Sequence, residues 1–496
     1  MKKEKAHRAL SVILSALLVT LPLFSCAKKS ADSETGSTSA GETTTAENGD
    51  FAEIESYVAE LAETKFDGAS FNIVGRETSV LPEDERETGN LENDALYRRS
   101  RALEEAFEID MCLTKALGIG FDDAESEINE LVRQDVMSGS ASYDLIEGNI
   151  MLCGTVLLEE NLIQPSENFP QIDPEMDWWC ADIRERYTIC DSLYYLTGKI
   201  NLSNYTAPAC VLYNKAVAEN FGITGLYEAV EDGRWTLDMM AESASAITAG
   251  GEIKRFMIGG AGGGLSMFFG GGFTLSSLDE NGDPVLTQSL SSDMVSYIDR
   301  LGDIFGDDSI TYNQVRAYYN GAQEFVDTDV FEDGHVLYWT DVLGRAITLR
   351  EYDTEFGILP IPKRDASQSE YIGFANAWQV TGVFFPKTVK DAAMTGAVTE
   401  AMAALSVKYI EPEYLERSLK GRSTYDEESK TVVDLLYTSQ TADLADTYQW
   451  GDLVITVNRA CLGSIDSYVS SYDSSARYAN VVMTKLISDV RRRGAE

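Results

Sequence analysis

Polar and apolar positions along the chain switch between two periods. Ser70–Gly75 (SFNIVG) places Phe71 and Ile73 on one side and closes on glycine, the alternation of a short strand. From Asp94 to Phe107, Leu96, Leu103 and Phe107 fall near helical spacing among Arg and Glu, which predicts an amphipathic helix. Ile109–Leu113 reads as a second strand. Asp122 or Asp123 is placed to cap a helix carrying Ile128, Leu131, Val132 and Val136 on one face, and Tyr143–Glu147 (YDLIE) reads as a third strand. This β-α-β-α-β order predicts a parallel sheet with covering helices. Ligands of such sheets sit beyond the carboxyl ends of the strands, here the loops beginning at Arg76 and Gly148.

Further along, Val211–Asn214 (VLYN) runs into a helix ending at Phe221, with Gly222 as its left-handed stop. In DGRWTLDMM (232–240), Thr236 is a plausible N-cap and Trp235 can staple against Met240, which makes Trp235 structural rather than a ligand platform. Asn281-Gly282 between Thr274–Leu278 and Val285–Thr287 predicts a hairpin with a type I′ turn.

The first 50 residues follow neither period. Lys2, Lys3, Lys5 and Arg8 precede an apolar segment from Ala9 to Leu21, the layout of a signal peptide over residues 1–25 and too short for a spanning helix of ~20 residues. Leu23-Phe24-Ser25-Cys26 resembles the lipobox of bacterial lipoproteins, with Phe24 where that pattern favours a smaller residue; the resemblance implies lipidation of Cys26. Residues 27–50 hold no Val, Ile, Leu, Met, Phe, Trp or Tyr and read as a flexible tether reaching roughly 27 Å.

Composition then narrows the function. Residues 1–25 carry four basic and one acidic side chain, so their removal takes the formal net charge from −41 to −44. Such acidity argues against nucleic acid and anionic lipid surfaces as partners. Roughly 430 residues after the tether exceed one core, so two lobes are expected. The six later cysteines match no metal-binding spacing; a Cys180–Cys190 bridge and buried free thiols are the two readings. His335 is the single histidine past the signal segment and reads as a surface or hinge residue, so multi-histidine metal sites are excluded and no G-x-S-x-G surrounds a serine. The tract GGAGGGLSMFFGGG (259–272) lacks the register of a phosphate loop. It reads either as a mobile loop or as backbone approaching something closely, a ligand included, with Gly264 as the candidate contact. DENGDP (279–284) opens like a calcium loop, but Pro284 and Leu290 occupy the glycine and glutamate positions. No metal and no cofactor are therefore expected. Tryptophans 178, 179, 339, 378 and 450 with 24 tyrosines would suit ring-shaped neutral ligands such as sugars, against core packing as the alternative.

Five segments, NDALYRRSRALEEAF (93–107), SASYDLIEG (140–148), VLYNKAVAENFGI (211–223), DGRWTLDMM (232–240) and FGILPIPKRDASQSEY (356–371), together resemble the extracellular solute-binding lipoproteins of bacterial ABC transporters. The likeness is to their family-1, largely carbohydrate-binding branch, and runs from residue 66 onward. It implies an α/β chain of two periplasmic-binding-protein-like lobes with hinge crossover strands near Ala209–Leu212 and Phe356–Pro362. Lobe one would hold residues 67–208 and 363–408, and lobe two 209–362 and 409–496, after a region 26–66 of lipidated cysteine, linker and short helix. By position in that fold, Arg76, Glu77, Asn149, Trp339, Asp341 and Trp378 would face the cleft.

The function implied is non-enzymatic: a monomeric, lipid-anchored protein on the outer face of the cell membrane that captures a small solute, a sugar or oligosaccharide, and passes it to permease subunits. A surface glycoside hydrolase using two cleft carboxylates, and a sensory or adhesion lipoprotein on the same scaffold, are the alternatives.

Overall fold

The computed structural model describes residues 51–76, 80–118, 120–180, 184, 186–260, 263–319, 327–349, 352, 354–413, 427–465 and 467–494. The signal segment, Cys26, the tether through residue 50 and Glu77 lie outside the described residues. Helix α1 (Ala52–Leu61) leads into β1 (Ala69–Gly75), which buries Phe71, Ile73 and Val74 completely. Helix α2 (Leu91–Phe107) starts at Asn90, whose side chain accepts from the N–H groups of Glu92 and Asn93, and stops at left-handed Glu108. β2 (Ile109–Lys115) then lies parallel to β1, with Ala69 opposite Ile109.

Helix α3 (Phe121–Ser138) differs from its expected start. Gly120, at φ 93°, turns the chain into it, and Asp122 and Asp123 stand inside the first turn, where carboxylates complement the helix dipole. Ile128 and Val132 form its buried stripe, flanked by half-buried Leu131 and Val136. β3 (Leu145–Asn149) starts two residues later than the alternation predicts, because Asp144 turns its carboxylate onto the Asn72 N–H at 2.8 Å. The short strands β4 (Ile163–Gln164) and β5 (Tyr195–Leu196) follow.

The chain next builds a second sheet. β6 (Ala209–Asn214) is buried at every residue, and Asn214 caps α4 (Lys215–Asn220), which ends before Gly222 at φ 66° as its pattern predicts. Thr236 caps α5 (Leu237–Ser243), and Trp235 before it is fully buried, its indole donating to the Pro360 carbonyl. β7 (Lys254–Ile258) precedes α6 (Gly263–Gly270), which takes up the middle of the glycine tract. A hairpin of β8 (Ser276–Leu278) and β9 (Pro284–Leu286) carries a turn other than type I′. Among its residues Gly282 alone has positive φ; the Gly282 N–H donates to the Asp279 carbonyl and Asp279 Oδ1 accepts from the N–H groups of Asn281 and Asp283. The aspartate closes a longer loop, so Asn281 need not adopt the left-handed region. β10 (Thr311–Asn313) and β11 (Val336–Val342) lead through α7 (Gly344–Leu349) to β12 (Phe356–Pro360). The sheet order is β10-β7-β11-β6-β12, parallel from β10 through β11 and antiparallel around β6. Pro360 ends an edge strand, where its missing N–H costs no ladder bond.

After β13 (Gly373–Phe374), β14 (Thr381–Pro386) returns to the first sheet, giving the order β2-β1-β3-β14-β4 with β5 also on β14. β1 is parallel to β2 and β3, and β14 antiparallel to β3 with Thr381 opposite Asn149. Helix α8 (Ala392–Tyr409) is buried along most of its length, covered by α1 and α2. Its Glu400 accepts from Trp178 Nε1 at 2.9 Å, Trp179 Nε1 at 3.0 Å and Tyr57 at 3.3 Å. Helix α9 (Glu427–Thr438) lies against β12 and leads to β15 (Gln440–Thr441), which pairs with β13, and α10 (Leu453–Cys461) packs on α6. All six cysteines from Cys112 onward are free thiols, Cys180 and Cys190 included, which sets aside a bridge between them.

Candidate functional site

Four chain segments meet where the central strands end. In the first sheet, β1 ends at Gly75 and Arg76, and β3 at Asn149. A side chain at Gly75 would stand 2.8 Å from Glu147 Oε2, so glycine lets the two strand ends close over a buried carboxylate. Arg76 turns inward: its Nε lies 3.0 Å from Glu125 Oε1, its guanidinium 4.7 Å from the Phe121 ring centroid, and its N–H donates to Glu147 Oε2. Burial pushes the Glu125 carboxyl up to about 7, opposed by the Arg76 charge and reinforced by Glu147. Arg76 is thus held as counter-ion to buried acids, with only its rim open.

Asn149 is fully buried. Its Oδ1 accepts from the N–H groups of Met151 and Leu152, and its Nδ2 donates to the carbonyls of Ala377, Trp378 and Val380 at 2.9, 3.2 and 3.0 Å. These bonds use up its polar capacity. It positions the loop 376–380 rather than presenting a free amide. That loop is held from its other side by Asp446, which accepts from the Ala377 N–H at 2.9 Å and whose carboxyl burial pushes up to about 7. Trp378 is partly exposed and Gln379 exposed, while Asn376 caps the turn by accepting from the Trp378 N–H.

From the second sheet come the ends of β7 and β11. The Gly259 N–H donates to the Thr340 carbonyl, which brings Gly259 against Asp341. A Cβ at Gly259 would stand 2.2 Å from Asp341 Oδ2 and 2.5 Å from Trp339 Nε1. Asp341 is fixed by its own strand end, accepting from the Val342 N–H at 2.7 Å, and by Arg345 Nε at 3.3 Å one turn into α7. A narrow cavity of about 20 Å³ lies between these groups, lined by Gly259, Gly260 and Asp341 on one side and Asn376, Trp378 and Gln379 on the other.

Asp341 and Trp378, both expected from the sequence, are brought together here. Two other expectations are not met. Trp339 is wholly buried, its ring 5.5 Å from Phe331 and 5.8 Å from the Arg345 guanidinium, because it sits one full pleat inside β11 while Asp341 reaches the strand end. It is a core residue and offers no stacking face. Gly264 lies inside α6, where a Cβ would meet Asn458 Oδ1 at 2.6 Å and Leu462 at 3.1 Å. Its smallness lets α6 approach α10, and the close approach read from the glycine tract is to the chain itself. Elsewhere in that tract, Gly259, Gly260, Gly263 and Ser266 do line the cavity; Asn376 and Gln379 escaped the sequence reading. Their only local signal is proximity to Trp378 in GFANAW.

Chemically the arrangement offers a fixed carboxylate, neutral amides, an indole and open glycine backbone. Apart from Asp341, which Arg345 binds, the lining is uncharged, as suits a ligand rich in hydroxyl groups. Among the described residues no three His, Cys, Asp or Glu side chains gather to hold a metal ion, and no helix is long and apolar enough to cross a membrane.

No protein-family model and no curated protein matches the sequence. Solved structures do. An ABC substrate-binding protein of Listeria monocytogenes in complex with cycloalternan superimposes with a TM-score of 0.54 at 11% identity, over 84% of this chain and 100% of that one. The galacto-N-biose-/lacto-N-biose I-binding protein of a Bifidobacterium longum ABC transporter, in complex with lacto-N-biose, gives 0.51 at 15% identity over 85% and 98%. UgpB of Mycobacterium tuberculosis, in complex with glycerophosphocholine, gives 0.55 at 13% identity over 85% and 99%. The chain has the two-lobe, periplasmic-binding-protein-like fold of these solute-binding proteins.

Proposed function

We propose that this chain is the extracellular substrate-binding component of an ABC importer, taking a sugar or oligosaccharide between two lobes and delivering it to permease subunits without chemical change. The observation that carries the reading is the cavity between the ends of β7 and β11 and the 376–379 loop, where the one carboxylate already has Arg345 and every other group is neutral. Two of the three similar structures described above hold carbohydrates, which favours the same ligand class here. A cavity of about 20 Å³ admits little more than one water molecule, so a sugar enters only if the two sides part. Residues 67–208 with 363–408 and residues 209–362 with 409–496 each contain all the strands of one of the two larger sheets, which supports them as the moving bodies, with the β13–β15 pair and the Asp446–Ala377 bond crossing between them. Binding would then shift an open–closed equilibrium, and the permease would recognise the closed form.

In this reading residues 1–25 are removed, Cys26 carries the lipid, and residues 27–50 tether a monomeric receptor to the outer face of the membrane. The tether keeps the receptor at high effective concentration near its permease.

A thermal-shift panel of mono- and oligosaccharides on the mature chain tests the ligand class, since a ligand that binds only the native state raises the melting temperature by mass action. The expected result is a saturable rise with one sugar class, accompanied by a falling radius of gyration in solution scattering. A rise confined to peptides or polyamines overturns the carbohydrate reading. Saturating sugar with no compaction overturns the hinge. Loss of fatty-acid labelling in a Cys26→Ser variant is the expected outcome for the anchor, and labelling that persists removes it.

A further inference from the structure

One side chain at the cleft holds a hydrogen-bond donor that the protein itself does not use. Asn376 lines the cavity, yet the residue is only 4% exposed. Its Oδ1 accepts from the Trp378 N–H at 2.9 Å. Only an oxygen can accept that bond, so the orientation of the amide is settled and the nitrogen is left over. Among the described residues Nδ2 donates to nothing. Leaving a buried donor unpaired is costly, and with so little of the residue open the cavity is where a partner reaches it.

The donor is also held still. The Ala375 N–H before it donates to the Thr441 carbonyl at 3.0 Å, and the Ala377 N–H after it to Asp446 at 2.9 Å. Asn149 fixes the carbonyls of Ala377, Trp378 and Val380 from below. A ligand bond to Asn376 therefore costs little ordering of the loop. On the facing wall stands the Asp341 carboxylate, which accepts and does not donate. The cavity of about 20 Å³ between the walls is the size of one hydroxyl group. A group that both donates and accepts satisfies the two walls together. A hydroxyl does so; an ammonium group cannot accept from Asn376, and an ether, carbonyl or anionic oxygen cannot donate to Asp341.

We propose that Asn376 is a specificity-determining residue of the cleft. Its Nδ2–H donates to one hydroxyl of the ligand, and the same hydroxyl donates to Asp341, so a single ligand group bridges the two walls. The ligand is thereby a neutral polyol with a free hydroxyl at this point, and the same compound methylated there is rejected. Asn376 has this role only if the cleft binds a sugar, as proposed above.

Calorimetric titration of the mature chain with maltotetraose, lacto-N-biose and D-tagatose supplies the sugar with which variants are compared. Asn376→Asp keeps the oxygen that accepts from Trp378 and replaces the donor by an acceptor. The charged groups beside that position are Asp341 with its partner Arg345 across the cavity and Asp446 behind the loop. The two carboxylates raise the proton affinity of the new carboxyl. Relative to the unmodified chain at the same pH, the variant should bind at least about tenfold more weakly at about pH 8. Most of that loss should be recovered at about pH 5, where the protonated carboxyl donates as the amide did. Asn376→Ser, which is smaller and adds no charge, should bind about tenfold more weakly at both pH values and melt close to the unmodified chain. Folded variants with undiminished affinity, or an Asn376→Asp loss equal at both pH values, would overturn the role of Asn376 and leave the cleft a sugar site. No saturable heat from any of the three sugars in the unmodified chain would overturn the sugar site and the role with it.

Discussion

Asn149 Nδ2 lies 3.2 Å from the carbonyl oxygen of Trp378, so the residue that ends a strand of the first sheet holds the backbone of the aromatic residue at the cleft. The same amide also holds the carbonyls of Ala377 and Val380. An Asn149→Ala change strands those carbonyls and uncaps the turn at Met151, and should cost about 2–4 kcal/mol in urea denaturation. Sugar affinity should fall with it, because the Trp378 backbone loses its anchor. Undiminished stability would mean the amide is dispensable.

Trp378 and Trp339 should respond in opposite ways. Trp378→Ala removes a partly exposed ring from the cavity wall and should weaken a bound sugar by about tenfold, roughly 1.5 kcal/mol, with little change in melting temperature. Trp339→Ala empties a fully buried site and should cost about 3–5 kcal/mol of stability. Titration and chemical denaturation of both variants check the pair, and a destabilised Trp378→Ala with normal binding would reverse the assignment.

Gly259 should tolerate no side chain. A methyl group there would press on Asp341 Oδ2 and Trp339 Nε1 together, so Gly259→Ala must displace the carboxylate that faces the cavity. Ligand affinity should drop by at least about tenfold, with a stability loss of about 1–3 kcal/mol from overpacking. Calorimetric titration beside a melting curve separates the two effects.

Stability should fall from mildly acidic to mildly alkaline pH. Burial raises the carboxyls of Glu125, Glu400 and Asp446 to about 7 each, above the ordinary carboxylate value near ~4 that the unfolded chain keeps. The folded chain therefore binds more protons between those values. The resulting stabilisation is fully present below about pH 4 and is lost as pH rises through about 7. Melting temperature measured from pH 5 to pH 8.5 should decline, and Glu400→Gln should flatten the slope. A melting temperature that climbs over this interval would contradict these values.

Much of the scaffold is legible in local patterns. The alternation of SFNIVG, the cap at Thr236 and the stop at Gly222 all appear where the residues indicate, because each depends on neighbours a few positions away. The cleft is less legible. The bond from Asn149 to the Ala377 carbonyl spans 228 residues, and no local period carries it. Trp339 and Asp341 share one face of β11, and only the place where the strand stops decides which is core and which is lining. Gly264 and Gly259 read alike within one tract, yet one lies against a helix and the other against a carboxylate.

The antiparallel strand β14 has a consequence for how the protein is made. β3 must wait for Thr381–Phe384 before its second edge is covered, so a chain emerging N-terminus first leaves the first sheet unfinished until β14 arrives. Pairing at such separation raises contact order and slows folding. A nascent chain that has reached residue 360 holds every strand of the second sheet but leaves β3 with an open apolar edge, a template for aggregation. Fragments ending before residue 386 should therefore aggregate, while the complete chain closes the edge from within.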